Sequence, residues 1–393
     1  MSRQHIRIVA DDNMPGVEAC CANLSGVDFT VVRRPGRDLS AADVAEADWL
    51  FVRSITPVNA ALLAASRVRF VGTATIGTDH VDIPWLTERG VAWSAAPGCN
   101  ARAVAEWVLT LLLRLGQEQG QEQSQPLAGK VLGIVGLGHV GRWVAELMSP
   151  LGVQVLAYDP FLSTEAWPQN TSARAVTWSE LLATSDIITI HTPLTRSGPF
   201  PSFHLFGQQA FAQMKPSAWL VNAARGAVIN HDALLEDMHR TQRVVALDVW
   251  EGEPQLRSDV LAKVRYASPH IAGHSLEGKW RGTWQIVQAA AAHDGLTLSG
   301  TLQDVLPGEG VQVLEWPNSG NPELDLMAIT HPFIQHIEDD SRLRAVMLEP
   351  DSARGFDRLR KHYPVRREFP AHQLLKVCDE ASRKLLIALG FCC

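Results

Sequence analysis

The sequence predicts an α/β protein with two parallel-sheet units and a further C-terminal segment. Three observations carry this. At 393 residues the chain is too long for one ordinary core. Short apolar, β-branched runs alternate with helical stretches twice over, first across residues 1–98 and again from residue 131. At the head of the second series stands G-L-G-H-V-G, with Gly136, Gly138 and Gly141 between a strand-like run and a stretch of helical periodicity.

Composition narrows the class. Hydrophobic content of 46% and charged content of 20% describe a soluble globular chain. A formal net charge of −7 gives no support for nucleic-acid or anionic-membrane partners. The six cysteines form no C-x-x-C pair and no zinc-like spacing with histidine, so they read as ordinary thiols of a reducing compartment, with no metal expected. No signal-peptide apolar region precedes the first strand-like run. The most apolar stretch, residues 107–113, is too short to span a bilayer. The expected location is the cytoplasm.

In chain order, residues 6–10, 29–33, 49–53, 70–75 and 91–95 are the predicted strands of the first unit, with helices such as 58–66 and 83–89 between them. Two strand ends carry polar groups suited to a ligand: R-S-I-T, which includes Ser54, and G-T-A-T-I-G-T-D-H, which includes Thr75. Ser, Thr, Gly and Asp also fill turns for their own local bonding, and local sequence leaves both readings open. Asn100 can cap a helix over 103–115 that is apolar on most sides, which predicts burial between domains or subunits. The Gln- and Glu-rich residues 116–125 read as an exposed connector.

The glycine stretch has a physical reading. The first glycine permits the tight turn, the second lets the backbone approach a pyrophosphate, and the third packs the helix over 142–151 close to its strand. The helix N-terminus then presents free N–H groups and a positive dipole end to the phosphates. A second strand over 154–158 ends at Asp159, whose carboxylate can accept from an adenosine ribose and would repel a 2′-phosphate, so NAD is favoured over NADP. Four more apolar strands, 187–192, 219–223, 244–249 and 266–268, complete a doubly wound sheet. Ligands of such sheets collect at the carboxyl ends of the strands. Those ends read H-T-P-L, N-A-A-R-G, D-V-W-E-G-E-P and S-P-H-I-A-G-H.

Arg225, Glu253 and His270 follow different strands at one edge of that sheet. Oxidising a secondary alcohol needs a hydride acceptor, which NAD supplies, and a base for the hydroxyl proton, which His270 suits through its near-neutral pKa. Glu253 can fix the imidazole tautomer, and Arg225 can hold a substrate carboxylate by paired hydrogen bonds while polarising the developing carbonyl. Each has a bland explanation taken singly: Arg225 a surface ion pair, Glu253 a turn residue before Pro254, His270 a satisfied core histidine. Coincidence of all three at consecutive strand ends is much harder to explain that way. Asp248 reads as a contact to the nicotinamide carboxamide.

Across residues 1–295 the chain resembles the D-isomer-specific 2-hydroxyacid dehydrogenases. The residues that carry this are V-R-S-I-T-P-V-N (52–59), F-V-G-T-A-T-I-G-T-D-H-V-D (70–82), D-V-W-E-G-E-P with P-H-I-A-G, and L-E-G-K (276–279). A tail, F-D-R-L-R-K-H-Y-P-V-R-R-E-F (356–369), points to one branch of the family. The resemblance implies NAD-dependent oxidation of a small phosphorylated 2-hydroxy acid. It implies Arg225, Glu253 and His270 as catalytic residues, Ser54, Thr75 and His274 as substrate contacts, and Asp159, Thr192, Asp248 and Gly273 as NAD contacts beside the three glycines. His274 stands where the family usually has a tyrosine, which implies altered affinity or pH dependence rather than lost activity. Ala224 replaces a cysteine common before the arginine.

The same resemblance implies a flavodoxin-like substrate domain over 1–98 and 274–295, a Rossmann NAD domain over 99–273, and a C-terminal α+β dimerisation domain over 296–393 in a homodimer. Locally, residues 317–322 read as a loop and 381–389 as a helix stopped by Gly390, and nothing beyond 296 has catalytic spacing. Two rivals stay open: a sibling enzyme acting on 3-phosphoglycerate, glycerate or another 2-hydroxy acid, and an NAD-sensing, co-repressor-like binding protein without turnover.

Overall fold

The computed structural model describes residues 4–118, 126–163 and 165–393. Its contacts divide the chain into two compact units, Met1–Asn100 with Ser275–Glu309, and Ala101–His274 with Gly310–Cys393.

The first unit holds a parallel sheet of β1 (Gln4–Asp11), β2 (Val27–Arg34), β3 (Trp49–Val52), β4 (Phe70–Thr73) and β5 (Ala92–Ala95) in the order β2-β1-β3-β4-β5. That is the flavodoxin-like order. All five strands coincide with predicted ones, because continuous apolar runs are what a sheet covered on both faces requires. The helix Leu276–His293 returns to this unit, capped by the Ser275 hydroxyl, which accepts from the Gly278 N–H at 2.9 Å. Its Ile286, Val287 and Ala290 share a core with Ile6, Trp49 and Phe70. Gly72 makes room for it: a Cβ there would lie 2.9 Å from Ile286 Cβ.

The second unit holds seven parallel strands: β6 (Val131–Val135), β7 (Gln154–Tyr158), β8 (Arg174–Ala175), β9 (Ile187–Ile190), β10 (Trp219–Asn222), β11 (Val245–Leu247) and β12 (Tyr266–Ala267). Their order is β12-β11-β10-β9-β6-β7-β8, so the winding reverses between β6 and β9 and opens a crevice at their carboxyl ends. The edge strand β8 was not predicted. Its two residues are exposed and lack the apolar run that marks the others.

The helix Ala101–Glu118 is buried on nearly every face. The predicted connector therefore starts later than expected: residues 116–118 are helical, and 119–125 lie outside the described residues. The predicted cap is not formed, since Asn100 Oδ1 is buried without a hydrogen-bond partner among the described residues. The helix is covered within its own unit. Trp316, Leu326, Phe333, Phe369, Leu386 and Phe391 of the C-terminal segment join its Leu109 and Leu113 in one core with Ile134 of the sheet. Residues from Gly310 onward thus pack with the nucleotide-binding sheet, while residues up to Glu309 stay with the first unit. That segment is α+β, with a parallel pair β13 (Val313–Glu315) and β14 (Gln373–Leu375) and helices Pro322–Thr330, His336–Val346, Ser352–Lys361 and Glu380–Ala388. The last matches its predicted span, with Asp379 accepting from Ser382 N–H at its start and Gly390 at φ 90° after its end.

Candidate active site

Each glycine of the nucleotide loop has a distinct steric role. Gly136 sits at φ 93°, a left-handed conformation that favours glycine, and a Cβ there would press within 2.8 Å of the His191 carbonyl. Gly138 faces open space. A Cβ on Gly141 would collide with the Gly136 carbonyl oxygen, so the helix His139–Met148 lies against its own loop. No side chain caps that helix, and its first N–H groups remain for an anion. Asp159 Oδ2 accepts from Leu137 N–H at 2.9 Å and Oδ1 from Phe161 N–H at 3.0 Å. An ionised carboxylate keeps further lone pairs after these two bonds, enough for ribose hydroxyls. Beside it a depression of about 480 Å³ is lined by Tyr158, Asp159, Leu162, Trp167, Thr177 and Trp178, a mix of aromatic and polar side chains suited to an adenosine. The loop, the bare helix end and this depression fit NAD.

After β9, His191 is half-buried with Thr189 Oγ1 at 2.8 Å from its Nε2, and the desolvation of its ring pushes its pKa down to about 3, so the ring stays neutral. Thr192 follows at the same strand end, half-buried.

After β10, Asn222 folds the chain back on itself. Its Oδ1 accepts from Ala224 N–H at 3.0 Å and its Nδ2 donates to the Arg225 carbonyl at 3.0 Å. Arg225 is half-buried and donates from Nη1 to the Ala224 carbonyl at 2.8 Å. The next residue, Gly226, lies so close to the backbone after β11 that a Cβ would overlap the Trp250 carbonyl. This contact sets the Arg225 loop beside the Glu253 loop.

After β11 and β12 the structure brings Glu253 and His270 together. Glu253 Oε1 accepts from Trp250 N–H at 2.7 Å, and Oε2 lies 2.8 Å from His270 Nδ1. Burial raises the Glu253 carboxyl, but the His270 charge and hydrogen bond, the Arg360 charge and the Trp250 N–H outweigh it and hold it below the ordinary carboxylate range. His270 itself adopts φ 57°, left-handed backbone that is uncommon for a residue with a side chain. Asp248 holds that backbone in place. Its carbonyl accepts from His270 N–H at 2.7 Å, Oδ1 from Ile271 N–H at 2.7 Å and the Ser268 hydroxyl at 2.5 Å, and Oδ2 from Ala272 N–H at 3.0 Å. The carboxylate expected to face a cofactor is thus 1% exposed and engaged with the loop that carries His270. Gly273 turns this loop, half-buried, and the buried His274 packs edge-on against Tyr363 with ring centres 5.9 Å apart.

In the first unit, Ser54 and Thr75 follow the adjacent strands β3 and β4 at the carboxyl edge of that sheet. Ser54 is exposed, and Thr75 donates to the Gly77 carbonyl at 3.0 Å while lying 2.9 Å from the Thr73 hydroxyl. Sequence reasoning missed the tail residues that face the second-unit loops. Arg360, Tyr363 and Arg366 lie within the tail 356–369, and the density of basic residues there was the one available signal.

A family model described as the NAD binding domain of D-isomer specific 2-hydroxyacid dehydrogenases matches residues 101–272, and a domain of unknown function matches 305–390. The erythronate-4-phosphate dehydrogenase of Cellvibrio japonicus is 42% identical over 99% of this chain and 100% of its own. That of Pseudomonas aeruginosa is 43% identical over 98% of this chain and 99% of its own. Among solved structures, a D-lactate dehydrogenase from Treponema pallidum superposes with a TM-score of 0.61 at 25% identity, covering 74% of this chain and 97% of that one. Similarity to the first two includes the C-terminal segment, and the NAD-binding unit makes the protein an NAD-dependent oxidoreductase. The chain belongs to the erythronate-4-phosphate dehydrogenase family within the D-isomer specific 2-hydroxyacid dehydrogenases.

Proposed function

We propose that this chain oxidises 4-phospho-D-erythronate to 2-oxo-3-hydroxy-4-phosphobutanoate, as a step of pyridoxal 5′-phosphate (vitamin B6) synthesis. The observation that carries this is full-length identity above 40% to enzymes of that name, C-terminal segment included, together with the His270–Glu253 pair. When bound, NAD would supply the acceptor for the hydride that leaves C2 of the substrate. Its holders in this reading are Gly136, Gly138, Gly141, Asp159, Thr192 and Gly273, with Asp248 acting mainly through the loop it anchors.

The chain's own part is proton handling and orientation. Glu253 accepts from His270 Nδ1–H, which leaves Nε2 bare in the neutral ring and able to take the C2 hydroxyl proton. As that proton arrives, the carboxylate 2.8 Å away stabilises the imidazolium. Arg225 holds the substrate carboxylate and draws electron density from the forming carbonyl. In the reverse direction His270 is the proton donor. Ser54, Thr75 and His274 are the proposed substrate contacts, and the tail's Tyr363 beside His274 supplies an aromatic edge to the histidine that replaces the usual tyrosine.

The protein is further proposed to work as a cytoplasmic homodimer. Eight of the eleven exposed large hydrophobic side chains among the described residues lie beyond residue 310, which favours an interface there. Among the described residues no helix is long and apolar enough to cross a membrane.

The test follows NADH absorbance with 4-phospho-D-erythronate and 3-phospho-D-glycerate in parallel, with a 2-oxo acid present to reoxidise any cofactor that stays bound. Preference for the erythronate by about tenfold or more in kcat/KM is expected. Preference for the glycerate would reassign the substrate to the sibling reaction, and NAD binding without turnover would favour the sensing protein.

A further inference from the structure

The loop that carries His270 is gripped from two directions, and only one of them lies within the dehydrogenase sheet. The N–H groups of His270, Ile271 and Ala272 are all held by Asp248, through its carbonyl and both carboxylate oxygens. The opposite grip comes from Arg366, far along the chain. Its Nη2 donates to the Ala272 carbonyl at 2.6 Å and to the Ala103 carbonyl at 3.1 Å, so that one nitrogen ties the loop to the start of the buried helix Ala101–Glu118. Ala272 is therefore held by both its N–H and its C=O.

We propose that Arg366 is a positioning residue for the oxidation, fixing the left-handed His270 backbone through the Ala272 carbonyl so that the imidazole meets both Glu253 and the substrate hydroxyl. The proposal rests on His270 being the proton-transferring group.

Three observations support a directional role over a merely stabilising one. Arg366 is 2% exposed, yet its Nε and Nη1 have no hydrogen-bond partner among the described residues. A buried cation with unmade bonds is a poor way to stabilise a fold, and well-packed apolar groups usually do better. What a guanidinium adds is a rigid planar head whose Nη2 carries two hydrogens, and that one nitrogen reaches both carbonyls. Next, the loop needs holding, because a non-glycine residue at φ 57° persists only where its surroundings impose it. Finally, the same stretch faces the same loops at three-residue spacing. Arg360 directs its charge at Glu253, Tyr363 packs on His274, and Arg366 reaches Ala272. The Tyr363 hydroxyl donates to Asp339 Oδ2 at 3.0 Å, which anchors the stretch to the preceding helix.

The experiment uses the full-length protein with Arg366→Met and Arg366→Lys, and has two readouts. Backbone hydrogen–deuterium exchange over residues 268–274 needs no substrate. It should quicken by about tenfold or more in Arg366→Met while exchange over 131–135 stays as in wild type. In steady-state kinetics kcat should fall by about 10–100-fold with KM for both substrates within about threefold, since a misplaced base weakens the transition state more than the ground state. Arg366→Lys, which keeps the charge and a donor nitrogen but loses the planar head, should recover part of both effects. If Arg366→Met does not fold, Arg366→Lys alone is compared with wild type by the same two readouts. Unchanged exchange over 268–274, or kcat within about twofold of wild type in a folded variant, would overturn the proposal. Wild-type protein that turns over neither phosphorylated acid would instead sink the functional reading, and the exchange result would still decide whether Arg366 holds the loop.

Discussion

Glu253 uses both carboxylate oxygens locally, one on Trp250 N–H and one on His270 Nδ1, so the pair is set before any substrate arrives. Removing the base should be costly: His270→Ala is expected to lower kcat by about 10³-fold while NAD affinity changes little, checked by steady-state kinetics and a binding titration. Glu253→Gln should also act on stability, with a definite sign. The folded carboxyl lies below its ordinary value of 4.5, so its pairing stabilises the native state above that value, and the gain is lost as pH falls through the depressed one. In the Glu253→Gln variant the acid limb of melting temperature against pH should flatten below about pH 4.5, read by scanning calorimetry. The candidates Arg225, Glu253 and His270 were legible because residue type and strand-end position coincide. The engagement of Asp248 was not, since all three bonds of its carboxylate run to residues 268–272, and sequence carries no sign of which carboxylate a distant loop will use.

Strands and glycine turns were the most readable elements. Apolar runs bounded by turn residues marked eleven of the strands, whereas β8, β13 and β14 are two or three residues long and largely exposed, too short to leave a pattern. The glycines differ in what a methyl group would meet, and that separates binding from folding. Gly138→Ala enters open space, so it should melt like wild type yet weaken NAD binding by about tenfold, because a Cβ there obstructs the approach of the pyrophosphate. Gly226→Ala collides with the Trp250 carbonyl and should lose roughly 1–3 kcal/mol of stability and most activity by pushing the Arg225 and Glu253 loops apart. Calorimetry and a cofactor titration on the two variants would distinguish these outcomes.

On the scale of the whole molecule, burial shapes the response to acid. His191, His231, His336 and His372 are all held below the ordinary histidine value of 6.5 by burial, His191 to about 3 and His372 to about 4. At these four sites the unfolded chain therefore binds more protons than the native one, a contribution that weakens stability as pH drops from 6.5 towards 4, while the buried carboxyls of Glu106, raised to about 8, and Asp339, raised to about 6, act with the opposite sign. Imidazole resonances of His191 and His372 that titrate near pH 6.5 in an NMR pH series would contradict the burial seen here. The two parallel sheets were legible from the order of the elements, and the return of the chain to the first unit was an expectation of the family resemblance. The packing of the C-terminal segment was not. Its helices His336–Val346 and Ser352–Lys361 are rich in charge, and their contribution to a shared core comes from a few side chains such as Leu343 and Phe356.

The apolar helix Ala101–Glu118 and the residues that cover it are far apart in order of synthesis. Phe369, Leu386 and Phe391 close over it only after more than 250 further residues have been made. At about 5–20 residues per second, a growing chain would carry that greasy surface uncovered for tens of seconds, which makes the nascent protein a natural client for chaperones. A ribosome stalled just before the codon for Phe369 would then hold a polypeptide that has every residue of its proposed chemistry and still lacks the cover of that helix.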